Sequence, residues 1–315
     1  MPARENFNDF FENELQSLLN PLELKRKKLM QFAIIGFVLL GLAIILFLAA
    51  SSGQSEAAAL VAFLILIPAI ILLIIYYNKK KHYTAEFKET IISEIICFIN
   101  PSFRYNPSAS VSRGDYDNSG LFLQKPDSYN GDDYTEGTHG KTFFCFSELH
   151  TEYKVSSGKQ TSWVTIFKGL FFIGDFNKNF SGRTYVWSEE NPQLNFFNKL
   201  FSSFANNLEK VQLESPEFER SFVVYSNDQV EARYILTPSF MERLIKLEGL
   251  MGTGISFSFV NTNIYVAVPV RRSLFEPSIF SRNDYKSLED YYNTVHIVLD
   301  IIDELNLNLR IWTKE

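Results

Sequence analysis

Two long apolar runs lie near the start of the sequence, separated by only six residues. Phe32–Ala50 reads FAIIGFVLLGLAIILFLAA without a charge, and Ala57–Tyr77 is slightly longer. At 1.5 Å per residue, a helix of this length just crosses a hydrocarbon core about 30 Å thick. The first run begins too far from residue 1 for a signal peptide, and a second run follows it at once. We therefore expect two transmembrane helices.

Basic residues flank the outer ends of both runs. They are Lys25, Arg26, Lys27, Lys28, Lys79, Lys80 and Lys81. The connection Ser51–Glu56 has neither Lys nor Arg. Because basic residues in short flanking segments stay inside, this bias predicts that both termini are cytoplasmic. Only a six-residue turn then reaches the far side, which argues against a receptor for external ligands.

The chain after the spans is acidic. Eight of the 30 Lys and Arg and six of the 36 Asp and Glu lie before His82, which leaves 22 basic against 30 acidic residues. Such a surface repels phosphate backbones, so nucleic-acid binding is not expected. Cys97 and Cys145 belong to no disulfide framework or metal-spaced pair, which fits a reduced compartment.

Hydrophobic spacing divides the chain into four predicted parts. Residues 1–31 form an amphipathic cytoplasmic arm, whose acidic polar face favours packing on protein over lying on lipid. Residues 32–77 form the transmembrane hairpin. Residues 78–101 form a helical stalk that Asn100-Pro101 ends. Residues 102–315 form a cytoplasmic domain.

That domain is predicted to be α+β, with a mainly antiparallel sheet and covering helices. The predicted strands are Lys141–Val155, Trp163–Phe176, Arg183–Trp187, Lys210–Glu214, Arg220–Tyr225 and a hairpin made of Ile255–Phe259 and Ile264–Val270. A pleckstrin-homology-like barrel is the alternative, by architectural analogy alone.

Helix and loop signals complete the prediction for the domain. Ser102–Gly140 is rich in Gly and polar residues and is expected to be mostly loop, with one short helix near Arg113. Asp228 and Glu231 fit a capping box, and Thr237-Pro238 fits the start of a second helix. Asp284–Leu305 carries a wide apolar face and predicts a final helix.

Candidate ligand or partner residues are few. Asp132 and Asp133, with Glu136 and His139 nearby, offer oxygen and nitrogen ligands for a divalent ion, although Gly-Asp-Asp is also ordinary turn chemistry. Arg233 beside Glu231 offers a cation for an anionic ligand or a surface ion pair. No catalytic constellation, cofactor motif or zinc spacing occurs in the sequence, so we expect no cofactor, no structural metal and no enzymatic activity.

Three stretches together resemble a family of bacterial two-span membrane proteins known only as domain of unknown function 3137. They are YNGDDY from Tyr129, IFKGLF from Ile166 running into DFNK and GRT, and EARYILTPSFMERL from Glu231. The resemblance extends over most of the chain. It implies a bacterial inner-membrane protein and a LemA-type membrane protein as a partner. It implies no reaction and no catalytic residues.

The sequence favours a membrane-anchored interaction or scaffolding module that binds a protein partner or itself. A sensor of a small ligand or lipid headgroup is the first alternative. A metal-dependent hydrolase using Asp132, Asp133, Glu136 and His139 is the second.

Overall fold

The computed structural model describes residues 4–51, 56–158, 160–190, 208–251, 254–305 and 307. The connection between the apolar runs, residues 52–55, lies outside these ranges. The chain divides into two compact units: Met1–Ile95 with Phe275–Tyr291, and Ile96–Leu274 with Tyr292–Glu315. The boundaries predicted at residues 31, 77 and 101 remain predictions.

Helical segments build the first unit, and two of them, with 36 and 32 residues, are long. The segments are α1 (Arg4–Phe10), a π-helical turn (Phe11–Leu15), α2 (Gln16–Ser51), α3 (Glu56–Phe87), a second π-helical turn (Lys88–Ile92) and α4 (Ser93–Ile99), which runs into the second unit.

Helices α2 and α3 form the predicted antiparallel hairpin. Their inner positions recur every seven residues, and within the apolar part these positions carry small side chains. The buried inner residues include Leu22, Leu29, Gly36 and Ala43 on α2, and Ala62, Ala69, Tyr76 and Tyr83 on α3. Small residues let two helices approach closely, as they do in membranes. A Cβ on Gly36 would stand 2.9 Å from Leu73.

The outer faces of the hairpin are apolar and exposed. Phe7–Ser51 and Ala57–Ile99 each contain a window long and apolar enough to cross a membrane, of which only 17% and 11% is buried. A core helix of a soluble protein would be mostly buried. The two apolar helices therefore indicate membrane anchoring.

The N-terminal arm packs against protein, as its acidic polar face indicates. Phe7 and Leu15 are buried, and the ring of Phe7 lies 5.8 Å from that of Tyr285. Phe11 meets the same tyrosine edge-on at 5.3 Å. The arm thus buries its apolar face within the first unit.

A nine-stranded antiparallel sheet, counted over the described residues, forms the second unit. The strands are β1 (Arg104–Asn106), β2 (Ser128–His139), β3 (Thr142–Ser157), β4 (Gln160–Asp175), β5 (Arg183–Ser188), β6 (Glu209–Lys210), β7 (Phe222–Ser226), β8 (Ser256–Val260) and β9 (Asn263–Pro269). Their order is β1-β2-β3-β4-β9-β8-β5-β7-β6. The predicted hairpin is β8–β9, paired from Ser256↔Ala267 to Val260↔Asn263.

Five further helices follow α4 in the described chain; Tyr285–Tyr291 of the last one belongs to the first unit. They are α5 (Arg113–Ser119), α6 (Phe218–Ser221), α7 (Gln229–Ile235), α8 (Pro238–Met251) and α9 (Tyr285–Glu304). Two of the predicted signals lie at the helix starts: Asp228 accepts hydrogen bonds from the N–H groups of Val230 and Glu231 at the start of α7, and α8 begins at Pro238. The α+β prediction is confirmed.

An aromatic core covers one face of the sheet. Tyr116 of α5 stacks on Phe122 at 4.6 Å, and Tyr185 stacks on Trp187 at 5.3 Å. Tyr116 is buried, and its hydroxyl lies 2.9 Å from Thr151 Oγ1. These rings supply the large apolar area that a domain without disulfides needs.

Gly169 marks the point where β4 begins to pair with β9. Its φ of +153° is one that glycine adopts freely, and a Cβ there would overlap the carbonyl oxygen of Val268. Only glycine allows the two backbones to approach this closely.

The structure corrects three details. Ser128–His139, expected to be loop, is strand β2, because its polar residues lie on a strand that pairs with the apolar β3. The strand expected at Lys210–Glu214 is only Glu209–Lys210. Among the described strands β1 and β6 each pair with one neighbour, so the sheet is open and the barrel alternative does not hold.

Candidate functional site

Three carboxylates meet where β2 bulges against β3. One carboxylate oxygen each of Asp132, Asp133 and Glu148 lies within 4.8 Å of the others, and Asp133 and Glu148 are buried. The register of β2 shifts between Asp132 and Thr135, and Asp133 adopts a φ of +58°. This bulge brings adjacent aspartates toward one neighbour on β3.

Donors from the protein already bind two of these carboxylates. The hydroxyl of Tyr105 donates to Asp133 Oδ1 at 2.5 Å, and the N–H of Leu274 donates to Glu148 Oε2 at 2.7 Å. Oxygen clusters of this kind suit Ca²⁺ or Mg²⁺. These hydrogen bonds give the cluster a structural role. They link β1 to β2, and they link β3 to the segment that ends at Leu274.

Glu136 and His139 do not join Asp132 and Asp133. Glu136 accepts a hydrogen bond from the Tyr134 hydroxyl at 2.9 Å. His139 Nε2 lies 3.0 Å from a carboxylate oxygen of Asp303 on α9. The four-residue metal set of the hydrolase hypothesis is therefore not assembled, and the third member of the acidic cluster is Glu148 instead.

The carboxylate of Glu231 is hydrogen-bonded to a loop. Its carboxylate accepts hydrogen bonds from the N–H groups of Ser181 at 3.0 Å and Gly182 at 2.8 Å. Lys178 lies 3.5 Å from the same side chain. The carboxylate therefore holds the loop between β4 and β5 and does not complete the reciprocal half of a capping box.

Arg233 is exposed and points along its own helix. Its Nη1 donates to the carbonyl oxygen of Gln229 at 3.1 Å. The helix that carries Arg233 and Glu231 follows β7, which five strands separate from β2. At about 4.8 Å per strand spacing, Asp132 and Asp133 lie roughly 29 Å away along the sheet. The four candidate residues thus form two separate groups.

A two-stranded ribbon extends from the sheet between β3 and β4. The last pair between β2 and β3 is Ser128↔Glu152, and the first pair between β4 and β9 is Gly169↔Pro269. From Tyr153↔Val164 to Ser157↔Gln160, the two strands pair only with each other in the described chain. Four residue steps make this ribbon about 13 Å long.

The outer edge of the ribbon on β4 is uncharged and open. Gln160–Thr165 reads QTSWVT, and all six residues are exposed. Trp163 is 48% exposed and Val164 38%. The β3 edge differs because Asp127 covers it: its N–H donates to Glu152 O at 2.9 Å, and its Oδ2 accepts from the N–H of Lys154 at 2.8 Å.

Open edges offer backbone N–H and C=O groups to another strand. Folded proteins normally protect them with charge, proline or a bulge. The six residues of the β4 edge contain neither charge nor proline. The edge can therefore accept an extended polypeptide by strand addition.

The basic flanking residues have two kinds of environment. Arg26 is 5% exposed, donates to both carboxylate oxygens of Glu23 at 2.6 and 2.7 Å, and donates to Ile279 O at 2.7 Å. The Arg26 guanidinium holds the pKa of Glu23 below its usual range. Lys25 pairs with Glu86 in a more exposed position.

The remaining flanking lysines form no salt bridge with any residue that the structure describes. They are Lys27, Lys28, Lys79, Lys80 and Lys81, and Lys79 Nζ lies 5.9 Å from the ring centre of Phe32. Five of the seven flanking residues therefore carry a positive charge with no acidic partner among the described residues, next to the apolar part of the hairpin.

The sequence contained signals for two features that the prediction missed, Glu148 and the edge Gln160–Thr165. Phe144, Phe146 and Glu148 are alternate residues of one strand, so their side chains lie on the same buried face of the sheet. The uncharged run from Gln160 to Thr165 indicated an unprotected edge, but only strand order shows which strands are left unpaired.

Comparison with known proteins adds a family and one distant structure. Residues 165–307 match the family model described as "Protein of unknown function (DUF3137)". No curated protein matches the chain. One matching solved structure is the crystal structure of the mycobacterial trehalose monomycolate transport factor A, TtfA. The two sequences are 10% identical, and the structural match covers 66% of this chain and 90% of the TtfA chain. Its TM-score is 0.35, too low to carry over a fold or a function.

The match is narrower than the resemblance seen in the sequence. YNGDDY, from Tyr129 to Tyr134, lies before the matched range, whereas the stretches from Ile166 and from Glu231 lie inside it. The match includes most of β4 and the strands after it, together with α6 to α9. Residues 165–307 of this chain are therefore a DUF3137 domain, a domain of unknown function.

Proposed function

We propose that this protein is a membrane-anchored interaction module that associates with a second copy of itself through the outer β4 edge of the ribbon. The observation that carries the proposal is the open, uncharged edge Gln160–Thr165. Two such edges can pair antiparallel about a two-fold axis, because backbone groups supply the hydrogen bonds and none of the six edge residues carries a charge.

The membrane anchor supports self-association. Copies tethered in one membrane are confined to a plane, which raises their effective concentration relative to free diffusion. A foreign protein with an extended segment, such as the LemA-type partner that the resemblance implies, could use the same edge. Nothing in the edge sequence selects such a partner, whereas a second copy is always present in the same membrane.

The test is the oligomeric state of the full chain in mild detergent and in lipid nanodiscs. In the variant Ser162→Lys/Val164→Lys, pairing would bring lysines of the two copies together, and like charges opposite each other oppose pairing. Val155→Lys is the matched control, because Val155 is also 38% exposed but lies on the β3 strand beside Asp127.

We expect a dimer for the unmodified protein and the control, and a monomer for the double lysine variant. Mixing that variant with Ser162→Glu/Val164→Glu should restore dimers that contain one of each. A dimer that persists in the double lysine variant would refute the role of the edge. A strictly monomeric parent protein that captures a different protein at the ribbon would refute self-association.

We also infer that both termini are cytoplasmic and that the membrane is a bacterial inner membrane. The basic flanks and the short connection without Lys or Arg support this orientation. In that case the exposed thiol of Cys97 should react with a membrane-impermeant maleimide only after cells are permeabilised. Ready labelling of Cys97 in intact cells would overturn the orientation.

A further inference from the structure

We propose that a cleft beside the first helix of the hairpin binds the phosphate of an anionic phospholipid. The cleft has a volume of about 560 Å³ and lies within the first unit. Its lining residues are Asn20, Glu23, Leu24, Arg26, Lys27 and Arg282.

The cleft carries excess positive charge. Glu23 is neutralised by the bidentate pair with Arg26. Lys27 and Arg282 are exposed and form no salt bridge with any described residue, so two positive charges remain uncompensated. Both lie close enough to Glu23 to help lower its pKa, after the larger effect of Arg26.

One further acidic residue, Asp284, lies within the electrostatic influence of Arg282. The field of Arg282 contributes to a lowered pKa of Asp284, although the larger cause is a hydrogen bond from the Ser287 N–H. Asp284 also accepts a hydrogen bond from the hydroxyl of Ser287, so its carboxylate is used to start α9. Arg282 therefore remains available to an additional anion.

The position of the cleft favours a lipid headgroup. Lys27 precedes Phe32 by five residues, about 7.5 Å along the helix. The headgroup layer on each side of a bilayer is about 5–7 Å thick, so the Lys27 side chain reaches the level of the phosphates.

Neighbouring residues fit the same interface. Leu24 is 64% exposed within the cleft, and Phe280 is 61% exposed two residues before Arg282. Exposed apolar side chains beside cations are typical of surfaces that contact a bilayer. Lys28 and the lysines after Tyr77 add positive charge at the same end of the hairpin, which attracts anionic lipids.

The experiment is a lipid-binding measurement on the full chain in neutral detergent, by native mass spectrometry. The probes are phosphatidylglycerol, phosphatidylcholine and inorganic phosphate. The variants are Lys27→Gln/Arg282→Gln and the charge-preserving Lys27→Arg/Arg282→Lys. Lys25→Gln is the control, because it removes a charge two residues away that Glu86 already binds.

We expect the unmodified protein to prefer phosphatidylglycerol, and the double Gln variant to bind it roughly 30-fold more weakly, since each charge near an anionic surface contributes about 1 kcal/mol. The control and the charge-preserving variant should bind nearly as well as the parent. Equal binding of both lipids, or undiminished binding by the double Gln variant, would overturn the proposal. Displacement of the lipid by excess inorganic phosphate would show that a soluble anion is the ligand.

Discussion

Arg26 shows how a basic residue beside an apolar helix can also stabilise the fold. It is 5% exposed and makes three charge-assisted hydrogen bonds, two to Glu23 and one to Ile279 O. The variant Arg26→Met keeps the apolar stem and leaves a partly buried carboxylate and a buried carbonyl without this donor. Breaking a buried pair in this way costs about 3 kcal/mol.

Hydrogen exchange can measure this loss locally. The Ser278 N–H is a suitable reporter, because it donates to Asn283 Oδ1 at 2.9 Å and the Asn283 amide in turn donates to the Tyr83 hydroxyl. A loss of about 3 kcal/mol corresponds to roughly 150-fold faster exchange. The measurement is made on the full chain in detergent, on peptides that contain residues 276–283.

Two controls separate the buried pair from a general effect of charge. Lys25→Gln breaks an ion pair with 52% and 44% exposed side chains, and such pairs contribute at most about 1 kcal/mol. Glu23→Leu/Arg26→Met removes both charges and should recover most of the lost protection. Exchange in Arg26→Met within threefold of the parent would refute the reasoning.

The same pair predicts a pH dependence. The pKa of Glu23 is lowered from its ordinary 4.5, first by the hydrogen bond with Arg26. A lowered folded-state pKa contributes stability that is fully present above the ordinary value and is lost as pH falls through the folded value. The difference between parent and Arg26→Met should therefore shrink below about pH 4.5.

Three shorter predictions concern the second unit. Gly169→Ala should lower its stability by about 3 kcal/mol in thermal unfolding followed by tryptophan fluorescence, because the new Cβ overlaps a β9 carbonyl; a change below 1 kcal/mol would contradict this. Tyr116→Phe should cost about 1 kcal/mol, a fall in Tm of a few degrees, because the Thr151 hydroxyl loses the shorter of its two hydrogen bonds; an unchanged Tm would contradict it. Burial raises the pKa of the Cys145 thiol to about 11, so at pH 8 maleimide should modify exposed Cys97 and spare Cys145, as peptide mass spectrometry would show; equal modification would contradict it.

Strand prediction succeeded where aromatic and β-branched residues are abundant and failed where they are scarce. The runs that became β3, β4, β5, β8 and β9 are rich in Phe, Tyr, Val, Ile or Thr, and in β8 the Phe residues alternate with Ser. Strand β2 is rich in Gly, Asp and Thr, which locally favour turns. Pairing with β3 on one side and β1 on the other overrides that preference, and local sequence does not contain this information.

Candidate residues were harder to predict than elements. Asp132 and Asp133 do lie in an acidic cluster, but its third member comes from the neighbouring strand and not from Glu136 or His139. Glu231 was singled out for its capping position, yet its carboxylate binds a loop about fifty residues earlier in the chain. Contacts between distant parts of the chain depend on register and strand order, which residue spacing does not specify.

The sequence alone determined the hairpin. Two uncharged runs of this length fit the thickness of a bilayer, and only a helix satisfies all the backbone hydrogen bonds of such a run in lipid. It also determined the α+β class, since apolar periods of two and of 3.6 residues distinguish strands from helices. Only the tertiary structure decided which edge stays open, which carboxylates meet and which flanking cations are free. Those features arise from the pairing of segments far apart in the chain, where the free energy of packing outweighs local preference.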